Sequence, residues 1–216
     1  MKELILHNYF RSSTSVRVRV ALNIKGLAYD YVAHHLRRGE QRGEAYRAIN
    51  RQMLVPSLVL ANGTVLTQSL AIMEYLDETH PEPPLLPVEP VARARVRAIA
   101  QMIACEIHPL NNLRVLNELR SRFGAGDEAV NAWFRHWVAE TFAPLEEMLA
   151  ADPATGTFCQ GDRPGMADIC LFAQVLNNRR FEVDMKRYPT ISRLYDACAS
   201  DPAFVQAMPE NQPDAE

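Results

Sequence analysis

The pattern of hydrophobic and polar positions divides the chain into two parts. Up to residue 80, short apolar runs suited to strands alternate with stretches in which apolar residues recur every three or four positions, as on one face of a helix. From residue 91 onward only the helical period remains. The pattern therefore predicts a small sheet with helices on its faces at 1–80 and an all-helical part at 91–216.

The first part has the predicted element order βαβαββα. An Asn-Gly pair at 62–63 separates two short apolar runs, which is a strong signal for a β-hairpin. Residues 67–69 are of the types that cap a helix N-terminus. The predicted elements are a strand at 4–8, a helix at 14–25, a strand at 29–33, a helix at 43–49, a hairpin at 58–66 and a helix that begins near residue 70.

A proline-rich stretch at 81–90 separates the two parts. It contains five prolines, a density that breaks regular structure, and we expect it to be a linker. Beyond it, Pro109 is expected to kink the first helix, and the polar tail after Met208 is expected to be loosely held. The predicted helices of this part cover about 91–123, 128–149, 166–180 and 190–199.

Composition narrows the class of protein. The 216 residues are 48% hydrophobic and 23% charged, with a net charge of −3. We therefore expect no partnership with nucleic acid or a membrane surface. The four cysteines have no metal-ligand spacing, and we predict reduced thiols, most of which pack in the core, and no metal. No apolar run is long enough to span a membrane, and the N-terminus turns polar too early for a signal peptide, so a cytoplasmic protein is expected.

The most informative stretch lies where the first strand gives way to a helix. Four hydroxyl residues, Ser12, Ser13, Thr14 and Ser15, follow Arg11 there. Free backbone N–H groups and the helix dipole make such a position suitable for binding an anion or for holding a thiol as thiolate. The alternative is ordinary capping, because Ser and Thr are common N-cap residues, although four exceed what one cap needs.

Two further places in the first part are candidates for ligand contacts. A proline after Val55, just before a strand, could be cis and leave the backbone N–H and C=O of Val55 free for a peptide-like ligand, or it could form an ordinary trans turn. Gln68 and Ser69 begin the next helix, where they serve either as a cap or as a site for a carboxylate.

Polar residues also cluster in the helical part. His108, Asn112 and Arg114 surround Pro109, which suggests a polar cleft, while for His108 alone a plain surface or core histidine is the alternative. Arg179 and Arg180 end a predicted helix, where cations favour the dipole without any further role. Arginine makes up 20 of the 23 basic residues, which reflects either genome composition or recognition of carboxylates.

These motifs in this order resemble the zeta class of the glutathione transferase superfamily, which includes the maleylacetoacetate and maleylpyruvate isomerases. Residues 11–22 look like the class signature Ser-Ser-Cys-Ser-x-Arg-Val-Arg. Thr14 stands where the signature has cysteine, as in the maleylpyruvate branch. Gly165 stands where the superfamily has Ser or Thr three residues before Asp168, so the reciprocal capping bond should be missing. Further matches are 54–56, 68–72, 107–114, 179–184 and 211–214.

The resemblance implies a fold, a partner and a cofactor. The fold is a thioredoxin-like N-terminal domain at 1–80 and an all-helical C-terminal domain at 91–216, usually in a homodimer. The cofactor is glutathione, with its sulfur facing the hydroxyls and its γ-glutamyl carboxylate at the start of the helix near residue 70. The implied glutathione contacts are Ser12, Ser13, Thr14, Val55, Gln68, Ser69, His108, Asn112 and Arg114.

The implied activity is cis-trans isomerisation of a maleyl-type dicarbonyl acid in the degradation of aromatic compounds, by reversible addition of the glutathione thiolate. Ser12 is the first candidate for the hydroxyl that stabilises the sulfur, and Thr14 the second. The candidates for binding substrate carboxylates are Arg11, Arg114, Arg179 and Arg180. Two alternatives stay open, namely a broader transferase or dehalogenase that acts on α-halo acids, and a non-catalytic module that binds peptides through the sheet edge.

Overall fold

A computed structural model describes residues 4–216. The chain forms two compact units: the first runs to Leu85 and also includes Ser200–Glu216, and the second is Leu86–Ala199. The sequence assigned all residues from 91 onward to the helical part. The last segment instead belongs to the first unit, because Arg19 and Asn23 of that unit donate hydrogen bonds to the carbonyls of Ala207 and Ala203, respectively.

The first unit is built on a four-stranded sheet of order β2-β1-β3-β4. β1 pairs with β2 in parallel, while β1–β3 and β3–β4 are antiparallel. Leu6 is fully buried at the centre of the sheet, between Tyr31 and Leu58. The strands are Ile5–Asn8 (β1), Asp30–Ala33 (β2), Ser57–Val59 (β3) and Val65–Thr67 (β4).

Four helices complete the first unit, and α1 is covered almost all around. Every residue of α1 from Ser15 to Leu22 is buried, and α1 contacts both α3 and α9. The predicted hairpin forms at Gly63, whose φ of 83° lies in the left-handed region that glycine adopts easily. The helices are Ser13–Ile24 (α1), Glu44–Ile49 (α2), Ser69–Thr79 (α3) and Pro202–Ala207 (α9).

The second unit is helical, but the predicted helix at 91–123 is broken rather than kinked. A π-helix at Met102–Ile107 follows α4, and turns then lead to α5. Pro109 has no N–H to continue a helix, and Asn112 begins α5 by accepting a hydrogen bond from the N–H of Arg114 at 3.1 Å. The helices are Pro90–Gln101 (α4), Leu113–Phe123 (α5), Asp127–Ala151 (α6), Met166–Arg179 (α7) and Pro189–Ala199 (α8).

The start of α7 keeps the acidic half of its capping box. Asp168 is 1% exposed, and its carboxylate accepts hydrogen bonds from the N–H of Gly165 at 2.9 Å and of Cys159 at 2.7 Å. Gly165 has no side chain to return the bond. Burial raises the pKa of Asp168, while the hydrogen bonds from the two N–H groups act in the opposite direction. These two donors therefore stabilise the carboxylate in the core.

The C-terminal tail is ordered, so the expectation of a loosely held tail is wrong. Residues 202–207 form α9, which the sequence did not predict. Gln212 is 8% exposed and donates hydrogen bonds to the carbonyls of Gln206 and Met208. These contacts fix the chain after the last helix.

The cysteines and the long helices agree with an ordinary globular interior. Cys159, Cys170 and Cys198 are buried, Cys105 is exposed, and none of the four forms a disulfide within the described residues. Within residues 4–216, no helix combines the length and the hydropathy needed to cross a bilayer.

Candidate functional site

The hydroxyls at the start of α1 form a short hydrogen-bonded chain. Ser12 caps the helix, since its hydroxyl accepts from the N–H of Ser15 at 3.3 Å. Thr14 donates to the carbonyl of Val55 at 3.0 Å, and the Ser12 and Thr14 hydroxyls lie 2.9 Å apart. A hydroxyl has one proton. Because the proton of Thr14 is donated to Val55, Ser12 is the donor of the pair. The Ser12 hydroxyl is therefore the one that can rotate and donate its hydrogen bond to a ligand instead.

The loop around Val55 is fixed by side chains from α1 and from the segment around α2. The Val55-Pro56 peptide is cis, which the sequence had left open. The carbonyl of Val55 already accepts from Thr14, so the expectation that both of its backbone groups are free is wrong for the carbonyl. Tyr46 and Asn50 donate to the carbonyl of Leu54 at 2.7 and 2.8 Å. The loop is therefore held on both sides of residue 55.

The N-terminus of α3 has no side-chain cap from its N-cap residue. Gln68 occupies the N-cap position with a φ of 69°, a region that costs energy for a residue other than glycine, and its side chain makes no capping bond. Its amide instead donates to Gln52 at 3.2 Å. Ser69, the first residue of α3, is 5% exposed. The first N–H groups of α3 are thus left to an anionic group.

A buried arginine adds positive charge at the same helix end. Arg17 is 1% exposed and donates to the hydroxyl of Ser69 at 3.3 Å. Its Nε and Nη2 atoms have no hydrogen-bond partner among residues 4–216. Two of the donors of this buried guanidinium are therefore unmatched within the part of the chain that the structure describes. Sequence reasoning missed Arg17, because alternating Val and Arg along a helix suggests a polar outer face.

Arg11 completes the predicted set in the first unit. It is half-buried, with its guanidinium carbon 5.0 Å from the centroid of the Phe10 ring. Ser13 is 6% exposed. The structure joins Ser12, Thr14 and Val55 by direct hydrogen bonds and links Ser69 to α1 through Arg17.

In the second unit, the structure brings the side chains of His108 and Asn112 together, while Arg114 contacts Asn112 through its backbone. His108 follows the π-helix directly, and its Nε2 lies 3.3 Å from the side-chain nitrogen of Asn112. Asn112 in turn accepts from the backbone of Arg114, whose side chain is exposed. Asn112 is therefore an N-cap rather than the mid-helix residue the sequence suggested. Single-turn π-helices often occur at functional sites.

The two arginines at the end of α7 have different neighbours. The guanidinium carbon of Arg179 lies 4.5 Å from the centroid of the Tyr195 ring. Arg180 donates to the side chain of Asn177 at 3.1 Å. Both are exposed, and both also fit the simple interpretation of cations at a helix C-terminus.

A neutral histidine pair lies beside the Val55 loop. Nδ1 of His7 and Nε2 of His34 are 2.9 Å apart, and the ring of Tyr46 lies 4.2 Å from that of His34. Burial, together with the neighbouring His34, lowers the pKa of His7 to about 4. The pair therefore adds no charge near the site at neutral pH. The described residues contain no group of His, Cys, Asp and Glu side chains arranged to hold a metal ion.

Comparison with known proteins gives the family. Residues 6–84 match the model of the glutathione S-transferase N-terminal domain, and residues 127–202 match that of the C-terminal domain. A probable maleylacetoacetate isomerase of Vibrio cholerae serotype O1 is 48% identical over 218 residues, with 100% of both chains covered.

Two solved structures are similar throughout. One is the holo structure of a maleylpyruvate isomerase described as a bacterial zeta-class glutathione S-transferase, with a TM-score of 0.96, 45% identity, and 98% of this chain and 100% of that chain covered. The other is a maleylacetoacetate isomerase of Methylobacterium extorquens AM1 with bound malonate and glutathione, with a TM-score of 0.95, 40% identity, and 98% and 99% covered.

A four-stranded mixed sheet with helices, followed along the chain by an all-helical unit, is the architecture of the glutathione transferase fold. The chain belongs to the glutathione transferase family, and within it to the zeta class of maleylpyruvate and maleylacetoacetate isomerases. The predicted family and fold are therefore confirmed.

The histidine pair makes the stability of the protein depend on pH. The folded state holds His7 with a pKa near 4, below the ordinary value of 6.5, so its contribution is present above pH 6.5 and is lost as the pH falls toward 4. Between pH 7 and pH 5 the free energy of unfolding should fall by about 2 kcal/mol from this group. His7→Asn should reduce that pH dependence in urea titrations, and His80→Asn, which removes an exposed histidine, should not. Equal pH dependence in all three proteins would contradict the assignment.

Proposed function

We propose that the chain catalyses the glutathione-dependent cis-trans isomerisation of a maleyl-type dicarbonyl acid, maleylpyruvate or maleylacetoacetate, during the degradation of aromatic compounds. The predicted enzyme class and the predicted use of glutathione are both confirmed by relatives of these names and by glutathione bound in one of them. The observation that carries the proposal is the Ser12–Thr14–Val55 chain of hydrogen bonds. In it Thr14 donates to a backbone carbonyl, whereas Ser12 donates only to the hydroxyl of Thr14 and can turn toward a ligand.

The residues present fit an anionic tripeptide. The uncapped start of α3 offers N–H donors, and the two unpartnered nitrogens of Arg17 lie behind Ser69. Together they suit a carboxylate. Val55 lies on an anchored loop beside Thr14, where a peptide backbone can pair. We therefore assign the γ-glutamyl carboxylate to Gln68 and Ser69, the peptide backbone to Val55, and the thiol to Ser12, Ser13 and Thr14.

Glutathione supplies a thiol whose anion adds reversibly to a carbon conjugated with a carbonyl, so that a double bond becomes a rotatable single bond. Ser12 contributes the hydrogen bond that stabilises the sulfur anion, because its proton is the one not committed to the backbone. The start of the α1 dipole adds to this, and a lowering of a thiol pKa by two units needs only about 2.7 kcal/mol. Thr14 is hydrogen-bonded to both Val55 and Ser12 and so fixes the position of one relative to the other.

The substrate carries carboxylates, which arginine binds through two parallel hydrogen bonds. We assign this role to Arg11 in the first unit and to Arg114 and Arg179 in the second, with Arg180 an alternative to Arg179. His108 and Asn112 are further candidates for contacts with glutathione. A homodimer in the cytoplasm belongs to the same proposal and is supported by the membership of the glutathione transferase family.

The first test is an ultraviolet assay of both maleyl acids. The wild-type protein should convert at least one to its fumaryl isomer when glutathione is present and should not do so without it. Ser12→Ala should lower kcat tenfold or more, about 1.4 kcal/mol, and should weaken the thiolate absorbance of bound glutathione.

Thr14→Ser is the matched control for that variant, since it keeps the hydroxyl that bonds to Val55. It should retain most of the activity. Isomerisation that proceeds equally well without glutathione would contradict the proposed function. A normal kcat in the Ser12→Ala protein would contradict the role assigned to Ser12.

A second prediction concerns the buried cation. Arg17→Met should weaken glutathione binding about tenfold in calorimetry, about 1.4 kcal/mol, because the carboxylate loses its counter-charge. Binding of 4-aminobutanoyl-cysteinylglycine, which lacks that carboxylate, should hardly change. Arg42→Met, which removes an exposed cation of the same unit, is the control. If Arg17→Met weakens both peptides equally, the carboxylate does not lie at this helix end.

A third prediction separates carboxylate binding from general catalysis. Arg179→Met and Arg114→Met should each raise the KM for the maleyl acid about tenfold while changing the rate with 1-chloro-2,4-dinitrobenzene, a neutral electrophile, by less than twofold. Arg187→Met removes an exposed cation of the same unit and should affect neither. Equal losses on both substrates would contradict the assignment of these arginines to the carboxylates.

A further inference from the structure

The chain just before Arg11 and Ser12 is held by residues far from it in sequence. β1 ends at Asn8, and the next residues leave the sheet. Phe10 is 2% exposed, and the N–H of Ser12 donates to the carbonyl of Tyr9 at 3.0 Å to form a turn. Whatever fixes Phe10 therefore also fixes the direction in which Arg11 and Ser12 leave the turn.

Arg19 holds the carbonyl side of this segment. It is fully buried, and its guanidinium donates to the side chain of Asn8 at 2.9 Å and to the carbonyls of Tyr9 and Phe10 at 3.3 and 2.9 Å. The same guanidinium donates to the carbonyl of Ala207, at the end of α9, at 2.9 Å. Arg19 thus ties the turn to the C-terminal segment.

Asp214 binds the backbone N–H of Phe10, on the other side of the same residue. One carboxylate oxygen accepts from the N–H of Phe10 at 3.2 Å, and the other accepts a short hydrogen bond from the hydroxyl of Tyr31 on β2. Burial and this bond raise the pKa of Tyr31, so its proton stays available for donation. Asp214 therefore joins β2 to the residue that precedes Arg11.

The C-terminal tail has contacts on both sides of Asp214, and these contacts fix the position of the Asp214 carboxylate. Gln212 is anchored to α9 by two hydrogen bonds to backbone carbonyls. Beyond Asp214, Glu216 forms an ion pair with Arg38 at 2.8 Å, and its carboxylate lies 3.0 Å from Nε2 of His35. The carboxylate is presented to Phe10 by a segment with contacts of its own.

We propose that Asp214 is a positioning residue for the reaction, which acts through the N–H of Phe10 to set the positions of Arg11 and Ser12. The inference rests on the proposed function for its catalytic consequence, but not for the contact itself. Arg11 packs over the ring of Phe10, and Ser12 is two residues further along, so a small rotation of Phe10 displaces both side chains. Displacements of about 1 Å at such groups cost up to about a hundredfold in rate.

The contact is tested first without glutathione, by amide hydrogen exchange. In Asp214→Ala the N–H of Phe10 should exchange at least tenfold faster than in the wild-type protein. Glu216→Ala is the matched control, because it removes the ion pairs of the tail and leaves the bond to Phe10. Unchanged exchange in Asp214→Ala would overturn the proposal, whatever the activity of the protein.

The consequence is then measured by kinetics and titration. Asp214→Ala should lower kcat for the maleyl acid about tenfold and raise the pH at which the thiolate absorbance of bound glutathione appears by about one unit. KM should change less than kcat. Glu216→Ala should keep kcat within twofold. Normal kcat and a normal thiolate titration in Asp214→Ala would overturn the positioning role even where exchange is faster.

Two further variants keep the test decisive if Asp214→Ala does not fold. Asp214→Asn retains one acceptor for the two donors, and Tyr31→Phe removes one donor while leaving the carboxylate. Each should give a smaller loss of kcat in the same direction, and wild-type values in both would count against the proposal. A wild-type protein that does not isomerise would contradict the proposed function, while the exchange experiment would still decide the contact.

Discussion

The burial of Arg19 constrains the structure around the site more than any other single interaction. A guanidinium taken out of water is costly unless its donors are matched by acceptors. Arg19 meets this requirement with backbone carbonyls from the end of β1 and from the end of α9. The segment that carries Arg11 and the C-terminal tail must therefore lie side by side, which explains why the last residues belong to the first unit and not to the helical one.

Arg17, two positions earlier on the same helix, has the opposite arrangement. It is as deeply buried, yet two of its nitrogens have no partner among the described residues, and its one bond is to the hydroxyl of Ser69. In one helix, the donors of one cation are matched by protein acceptors, and two nitrogens of the other are not. The unmatched donors lower the stability of the free protein, and in the proposed function a glutathione carboxylate at the start of α3 offsets this cost.

The features that depend on local sequence could be predicted, and those that depend on distant contacts could not. The hairpin at Asn62-Gly63 was predictable because its turn needs a residue that accepts a positive φ. The hydroxyls at the start of α1 and the donors at the start of α3 were predictable from capping chemistry. The burial of Arg17 and Arg19 was not, because only the packing of α3 and α9 on α1 turns an apparently polar face inward. The order of the tail was not either, since Asp214 contacts Phe10 and Tyr31 and the composition of the tail is polar.

The replacement of the signature cysteine by Thr14 follows a physical logic in this chain. A threonine hydroxyl is a stronger hydrogen-bond donor than a thiol, and here its proton is committed to the carbonyl of Val55. The residue therefore links the start of α1 to the anchored loop, and it accepts from Ser12 at the same time. A ligand sulfur that takes the proton of Ser12 needs only that hydroxyl to rotate, while Thr14 and Val55 stay where they are. In the proposed mechanism, one hydroxyl stays fixed and the other rotates, so the negative charge that develops on the sulfur is stabilised without a rearrangement of the backbone.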